Sequence, residues 1–142
     1  MEACKAYNLL LSSSYDEFLK LQEFLEVMSE REGFSEGFFQ ELSFVVKEAF
    51  VNAVKHGNAG NKAAVVGLGF ESLREPDART LFIEVADAGS GFAVHEIHDP
   101  TSPGLLMKPS GRGVFLMRAF AEIIGQENFE NGWKLRLKMR PY

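Results

Sequence analysis

A group of polar residues near the middle of the chain is spaced so that one helix face would present them together. Glu48 and Asn52 are four residues apart, Lys55 and His56 follow within a turn, and the run stops at Gly57. An asparagine carbonyl suits Mg²⁺, which takes oxygen ligands and fills its remaining positions with waters and nucleotide phosphates. A carboxylate one turn away can accept a proton from an attacking hydroxyl. The alternative is a solvated polar stripe on an amphipathic helix.

A second candidate site follows directly on a predicted strand, in residues 87–92. Asp87 at the strand end can accept a hydrogen bond from an exocyclic amine such as that of adenine. Gly89 and Gly91, ahead of Phe92, allow the backbone to turn and to approach a ligand closely. The alternative is an ordinary aspartate-glycine loop. The segment lacks the third glycine and the following helix of the dinucleotide-binding fingerprint.

A third candidate site opens a predicted helix after a long loop. Ser110, Gly111, Arg112 and Gly113 would lie at the helix N-terminus, where free amides and the helix dipole attract anions. Lys108 and Arg112 can add positive charge to the same phosphates. The alternative is a flexible hinge with a serine cap. The chain contains no Walker A sequence, which argues against a P-loop enzyme.

Two other kinds of chemistry are disfavoured. His95 and His98 are three residues apart in a predicted loop without a supporting helix, so solvated loop residues are favoured over a metal site. No serine, histidine and acid combination indicates a hydrolase, and Gly-x-Ser-x-Gly is absent.

Two helices must position the first group. Ser14 and Glu17 have the spacing of a capping box and predict a helix that stops at Gly33. Ser35 is a second N-cap residue, and Gly57 is placed to end its helix. The apolar residues of this second helix recur with a period of 3.6: Leu42, Val45, Val46, Ala49, Phe50, Ala53 and Val54.

The remaining elements predict a sheet. Five short apolar or alternating segments are predicted strands: Tyr7–Ser12, Val65–Phe70, Leu81–Ala86, Gln126–Glu130 and Lys134–Met139. Turns at 74–79 and at Asn131-Gly132 join two hairpins, and Gly113 to Ile123 is predicted to be helical. The long stretch from Asp87 to Ser110 is a predicted loop. We therefore expect a single domain with a two-layer α/β sandwich fold.

The amino-acid composition limits which kinds of partner and which cellular compartment are expected. The 142 residues are 46% hydrophobic and 25% charged, as in an ordinary globular domain. A net charge of −5 gives no support to direct nucleic-acid binding. Cys4 is the only cysteine, which excludes an internal disulfide. No apolar stretch is long enough to span a membrane, and no signal peptide is recognisable, so a cytoplasmic location is expected.

The three sites, taken in order, resemble the motifs of one superfamily. Glu48-x-x-x-Asn52 with His56-Gly57, then Asp87-x-Gly89-x-Gly91-Phe92, then Gly111-x-Gly113 resemble the N box and the two glycine boxes of the GHKL ATPases. The resemblance covers nearly the whole chain. The N box sequence EAFVNAVKHG and the run from Pro109 through Val114 to Arg118 resemble the bacterial anti-sigma factor and serine-protein kinase branch of the RsbW type.

This resemblance implies roles for the candidate residues. It implies a Bergerat-type fold, with a mostly antiparallel sheet, helices on one face and a long ATP lid at about residues 88–110. Asn52 would bind Mg²⁺, Glu48 would be the catalytic base, and Asp87 would hold the adenine amine. The four glycines of the two boxes would shape the pocket around the phosphates. The implied cofactors are ATP and Mg²⁺.

The resemblance also implies a function and its partners. Such proteins bind a sigma factor in one state and phosphorylate a serine of a STAS-domain antagonist in another, which regulates transcription. A nucleotide-gated binding module without kinase activity is the alternative. Gly132-Trp133 departs from the family, which often has Gly-Thr there and uses the hydroxyl near adenine. Exposed apolar residues near the N-terminus would permit a homodimer.

Overall fold

The computed structural model describes residues 3–54, 65–87, 117–129 and 132–142. Within these ranges the structure has two long helices, five strands, a 3₁₀ turn at Tyr15–Glu17 and a short helical segment at 117–120. The elements are β1 (Ala3–Ser12), α1 (Phe18–Glu32), α2 (Glu36–Asn52), β2 (Val65–Glu75), β3 (Ala78–Asp87), β4 (Glu122–Phe129) and β5 (Gly132–Met139).

The five strands form one sheet in the order β1-β2-β3-β5-β4, and every neighbouring pair is antiparallel. β2 and β3 are joined by a two-residue turn at Pro76-Asp77, where Glu75 pairs with Ala78. β4 and β5 form the second hairpin, in which Phe129 pairs with Gly132 next to the turn. Both predicted hairpins are confirmed, and β3 is the central strand.

The two helices cover one face of the sheet and run antiparallel to each other. Phe18 at the start of α1 meets Phe50 near the end of α2, with ring centroids 5.7 Å apart. Phe24 of α1 packs on Phe70 of β2 at 5.7 Å. The buried side chains of both helices and the sheet form one hydrophobic cluster. The predicted two-layer α/β sandwich is confirmed.

The helix boundaries follow from their caps. Ser35 accepts a hydrogen bond from the Phe38 amide at 3.1 Å and begins α2. Gly33 ends α1 with a left-handed φ of 70°, which a residue without a Cβ adopts at low cost. Both boundaries were predicted. Gly57, the predicted end of α2, lies outside the described residues.

The predicted capping box at the start of α1 is wrong. Ser14 Oγ accepts from the Asp16 amide, while the Glu17 carboxylate accepts from Ser12 Oγ at 2.6 Å. The 3₁₀ turn explains the difference, because it separates Ser14 from the first residue of α1.

The helix predicted to run from Gly113 to Ile123 ends earlier than expected. Residues 117–120 are helical, but β4 begins at Glu122 and pairs Ile123 with Leu137 of β5. Isoleucine is β-branched and suits a pleated surface, and the pairing with β5 outweighs the helical spacing of the apolar residues.

Glu32, the last residue of α1, is 2% exposed and joins the helix to three strands. Its carboxylate accepts hydrogen bonds of 2.5 Å from Tyr7 and from Ser72. Arg74 and Arg79 donate to its main-chain carbonyl at 2.6 and 2.8 Å and form ion pairs with the carboxylate at 3.7 and 3.4 Å. We call this group the Glu32 cluster.

The pKa values of Glu32 and Tyr7 are displaced in opposite directions within the Glu32 cluster. Burial by itself raises the pKa of the Glu32 carboxyl, but the hydrogen bonds from Ser72 and Tyr7 and the charges of the two arginines leave that pKa below its usual range. Burial, together with the hydrogen bond and the negative charge of Glu32, raises the pKa of Tyr7 to about 12. Glu32 is therefore held as a carboxylate and Tyr7 as a phenol.

Candidate functional site

The C-terminal turn of α2 carries the first pair of predicted site residues. Ala49, Phe50 and Ala53 face the core with no exposed surface, which fixes the rotation of the helix. Glu48 is then half-buried, and Asn52, the last residue of α2, is only 2% exposed. Asn52 is therefore not part of a solvated stripe, the alternative that the sequence left open.

The Asn52 amide has unused hydrogen-bonding capacity. Its Nδ2 atom is buried and has no hydrogen-bond partner among the described residues. Buried polar atoms in proteins are nearly always paired, so an orphaned one indicates a missing water, ion or ligand. A half-turn of the amide would present a carbonyl oxygen at the same place. The side chain therefore fits the role of a single Mg²⁺ ligand.

The backbone changes directly after Asn52. Ala53 and Val54 form a π-helical turn, and the Ala53 amide donates to the carbonyls of both Ala49 and Phe50. Such wider turns occur inside or at the end of α-helices, frequently at functional sites.

Asp87 ends the central strand of the sheet. It is 8% exposed and lies on the same face of β3 as Leu81, Ile83 and Val85, which is the face that the helices cover. A carboxylate on this face is unusual, because the other positions are apolar.

Asp87 has a register partner on each neighbouring strand. It stands opposite Val66 of β2 on one side and opposite Trp133 of β5 on the other. The position at which the sequence was expected to depart from the family, Trp133, is therefore paired with Asp87 in the sheet.

The topology brings the C-terminal ends of α2 and β3 to the same end of the sheet. α1 ends in the Glu32 cluster beside Arg74 and Arg79, next to the β2–β3 turn, and α2 begins there, with the Ser35 amide bonded to the Tyr142 carbonyl. α2 then runs to the opposite end, where Phe50 meets Phe18. β3 also leads away from the turn and ends at that end. Asn52 and Asp87 thus lie at the end far from the Glu32 cluster.

The remaining predicted site residues lie outside the described residues. They are Lys55, His56, Gly57, Gly89, Gly91, Phe92, Lys108, Ser110, Gly111, Arg112, Gly113 and Val114, together with His95 and His98. Met117, the first described residue after this stretch, is fully buried, and Phe120 packs edge-on against Phe44 of α2 at 5.8 Å. The chain that follows the third predicted motif is therefore anchored on the helix that carries Glu48 and Asn52.

Within the described parts of the chain, no group of three or more histidine, cysteine, aspartate or glutamate side chains could hold a metal ion. Among the described helices, none has the length and apolar content needed to cross a bilayer.

No local pattern in the sequence predicts the Glu32 cluster. Its members come from β1, α1, β2 and β3, and Glu32 is separated from Tyr7 by 25 residues and from Arg79 by 47.

Similarity to known proteins extends over most of the chain. The family model of the histidine kinase-like ATPase domain matches residues 11–139. The serine-protein kinase RsbW of Oceanobacillus iheyensis is 27% identical over 110 residues, which are 73% of this chain and 67% of that protein. The RsbU and RsbW domains of Rv1364c from Mycobacterium tuberculosis share the fold, with a TM-score of 0.62 at 14% identity. That superposition covers 96% of this chain and 32% of the solved one.

Proposed function

The chain belongs to the histidine kinase-like ATPase domain family, as its ordered motifs predicted, and from this membership we propose that it is an ATP-dependent serine-protein kinase. Its substrate would be a serine of a STAS-domain antagonist, and its second partner a sigma factor or similar regulator. The protein would exchange these partners in an anti-sigma-type switch that regulates transcription. The whole chain would act as one ATPase domain, with residues 88–110 as its lid.

The proposed reaction is the transfer of the γ-phosphoryl group of ATP to the partner serine. The serine Oγ forms a bond to the γ-phosphorus, the bond from that phosphorus to the β,γ-bridging oxygen breaks, and ADP leaves. Glu48 accepts the hydroxyl proton. Positioning and charge neutralisation supply most of the rate in such transfers.

Three described residues would position the nucleotide, its metal ion and the attacking hydroxyl group. Asp87 would accept a hydrogen bond from the adenine amine and so select the base. Asn52 would hold Mg²⁺, which supplies the positive charge that neutralises the phosphates. Glu48 lies one helical turn before Asn52 and would orient the attacking hydroxyl. The glycine boxes and Lys55, Lys108 and Arg112 would contribute amides and charge to the phosphates.

The observation that carries this proposal is the buried Asn52 side chain at the end of α2, whose Nδ2 atom has no partner among the described residues. A residue placed there only for stability would be apolar, because an unsatisfied buried amide costs about 1 to 3 kcal/mol. Similarity to a serine-protein kinase over 110 residues supports the class of reaction.

The kinase proposal is tested by incubating the chain with Mg-ATP and a STAS-domain candidate, and by detecting phosphoserine with mass spectrometry. We expect transfer by the wild type and a loss of roughly 100-fold or more in Glu48→Gln, since that side chain no longer accepts the proton. Glu36→Gln, at the exposed first turn of the same helix, is the matched control and should keep full activity.

Two outcomes would contradict the proposal in different ways. Transfer that survives Glu48→Gln would remove Glu48 from the mechanism. Mg-ATP that raises the melting temperature without transfer to any STAS or sigma-factor candidate would instead favour the nucleotide-gated binding module.

A further inference from the structure

Phe120 is a large apolar side chain that lies outside the hydrophobic core. It is the last residue of the short helical segment 117–120, is 42% exposed and does not belong to the core cluster. Met117 and Ala121 bury the other side of this segment, with 0% and 6% of their surface exposed. The Ala121 amide also donates to the Met117 carbonyl at 3.0 Å. The segment is therefore anchored by these two residues, and burial in the core does not account for a phenylalanine at position 120.

Phe120 packs instead on a side chain of α2. Its ring meets the Phe44 ring edge-on, with the centroids 5.8 Å apart and the planes at 81°. Edge-on contact is a favourable arrangement for two aromatic rings. Phe44, Glu48 and Asn52 follow one another at intervals of four residues, so they form one row along α2. Phe120 therefore contacts the N-terminal end of the row that carries Glu48 and Asn52.

The order of the sheet places this contact on the side of α2 that faces away from α1. α1 lies over β1 and β2, whereas the segment 117–120 leads into β4 at the opposite edge. Phe50 of α2 points toward α1, because its ring meets Phe18. Glu48 points the other way, since two residues turn a helix by about 200°. Glu48 and Phe120 thus lie on the same side of α2.

The Glu48 side chain extends toward the ring pair formed by Phe44 and Phe120. Long side chains of an α-helix point back toward its N-terminus and cover the preceding turn. Phe44 occupies that turn, four residues before Glu48. Side chains occupy a small set of staggered rotamers, and bulky neighbours reduce the number that is allowed. The ring pair therefore stands where it limits the rotamers of the half-buried Glu48.

We propose that Phe120 is a positioning residue for Glu48. The ring pair forms an apolar wall beside the Glu48 stem and directs the carboxylate toward the serine hydroxyl that it deprotonates. This role in the reaction rests on the proposed kinase function. A general base must lie within hydrogen-bond distance of the proton that it accepts, and a misplacement of about 1 Å can lower a rate by roughly 100-fold. Phe120 acts only through Glu48.

Side-chain NMR of the full chain without nucleotide tests the positioning independently of any phosphoryl transfer. Three-bond couplings report the χ1 rotamer of Glu48. We expect one rotamer in the wild type and couplings averaged over several rotamers in Phe120→Ala. Phe120→Tyr keeps the ring and should keep the wild-type couplings. Ile124→Ala is the matched control, because Ile124 is 45% exposed but lines a groove beside Arg136 on the sheet face opposite the helices.

Phosphoryl transfer to the STAS-domain candidate measures the consequence for the reaction. Phe120→Ala should lower kcat by roughly tenfold or more. The dissociation constant of Mg-ATP should stay within about twofold of the wild type, because only the base is displaced. In a Glu48→Gln background, Phe120→Ala should cause no further loss of kcat, since the base is already absent. A merely structural role would instead lower kcat in both backgrounds, and Phe120→Tyr should restore it.

The two measurements separate failure of this inference from failure of the proposed function. Glu48 rotamers that are unchanged in Phe120→Ala, or an equal loss of kcat in both Glu48 backgrounds, would overturn the positioning role and leave the kinase in place. A wild type that transfers no phosphate would reject the kinase, and the Glu48 couplings would then decide by themselves whether Phe120 restricts this side chain. Circular dichroism establishes that each variant is folded. If Phe120→Ala does not fold, Phe120→Leu removes the ring with a smaller loss of volume.

Discussion

Glu32 and Asn52 occupy equivalent places at opposite ends of the sheet but differ in their hydrogen-bond partners. Each is the last residue of a helix, and each is 2% exposed. The Glu32 carboxylate receives two hydrogen bonds and two ion pairs. The Asn52 Nδ2 atom donates no hydrogen bond to any of the described residues. Buried polar groups in proteins are nearly always paired, so the contrast fits a structural role for Glu32 and a water, ion or ligand beside Asn52.

The residues that stabilise the fold and the residues of the candidate site therefore lie at different ends of the sheet. The Glu32 cluster ties the end of α1 to β1, β2 and β3 at the end of the sheet that carries the β2–β3 turn. The other end carries the polar side chains of the candidate site, which are Glu48, Asn52 and Asp87. Substitutions at the two ends should therefore change different measured quantities.

The largest effect on stability is expected for Glu32→Ala. Removing the carboxylate leaves Tyr7 and Ser72 without their acceptor and two arginines without their partner. Losing one member of a buried ion pair costs about 3 to 5 kcal/mol, and we expect the low end because the arginines are partly exposed and can rehydrate. Urea unfolding measures the loss, with Glu23→Ala on the exposed side of α1 as the control. Equal stability of the two variants would contradict the structural role of Glu32.

An opposite pattern is expected for Asn52→Ala. The free energy of unfolding without nucleotide should stay level or rise by about 1 kcal/mol, because removal of an unpaired buried amide relieves its desolvation cost and the small cavity left behind offsets part of that gain. Mg-ATP affinity should fall roughly tenfold or more. Titration calorimetry beside urea unfolding separates the two effects. Tight binding equal to that of the wild type would remove Asn52 from the site.

The smallest effect concerns the pH dependence of stability. The pKa of Tyr7 is about 12 in the folded chain and near 10.0 in its ordinary state. Because the folded state keeps the proton that the unfolded state releases, the stabilisation is complete below pH 10 and is lost as the pH rises toward about 12. Tyr7→Phe should cost about 1 kcal/mol near neutrality. Its difference from the wild type in urea unfolding should shrink across that window, and a constant difference would contradict the shift.

The regular elements were predictable because their signals are local. The Ser35 cap and the apolar period of α2 specify a helix with Glu48 and Asn52 one turn apart. The strands β2 and β3 were predicted too short, because their outer halves contain polar residues such as Glu71, Arg74 and Arg79. Pairing between the strands, which the local pattern does not show, extends both of them to the Pro76-Asp77 turn.

The sequence by itself determined which residue types are present and how they are spaced: the α2 pair, the aspartate that ends a strand, and the glycine motifs in their order. Tertiary structure alone decided that Asn52 is buried with an Nδ2 atom that has no partner among the described residues, and that Glu32 is buried with four partners. The physical reason is that periodicity and capping act over a few residues. Burial and hydrogen-bond satisfaction depend on segments that the chain brings together from far apart, as Glu32 and Arg79 show.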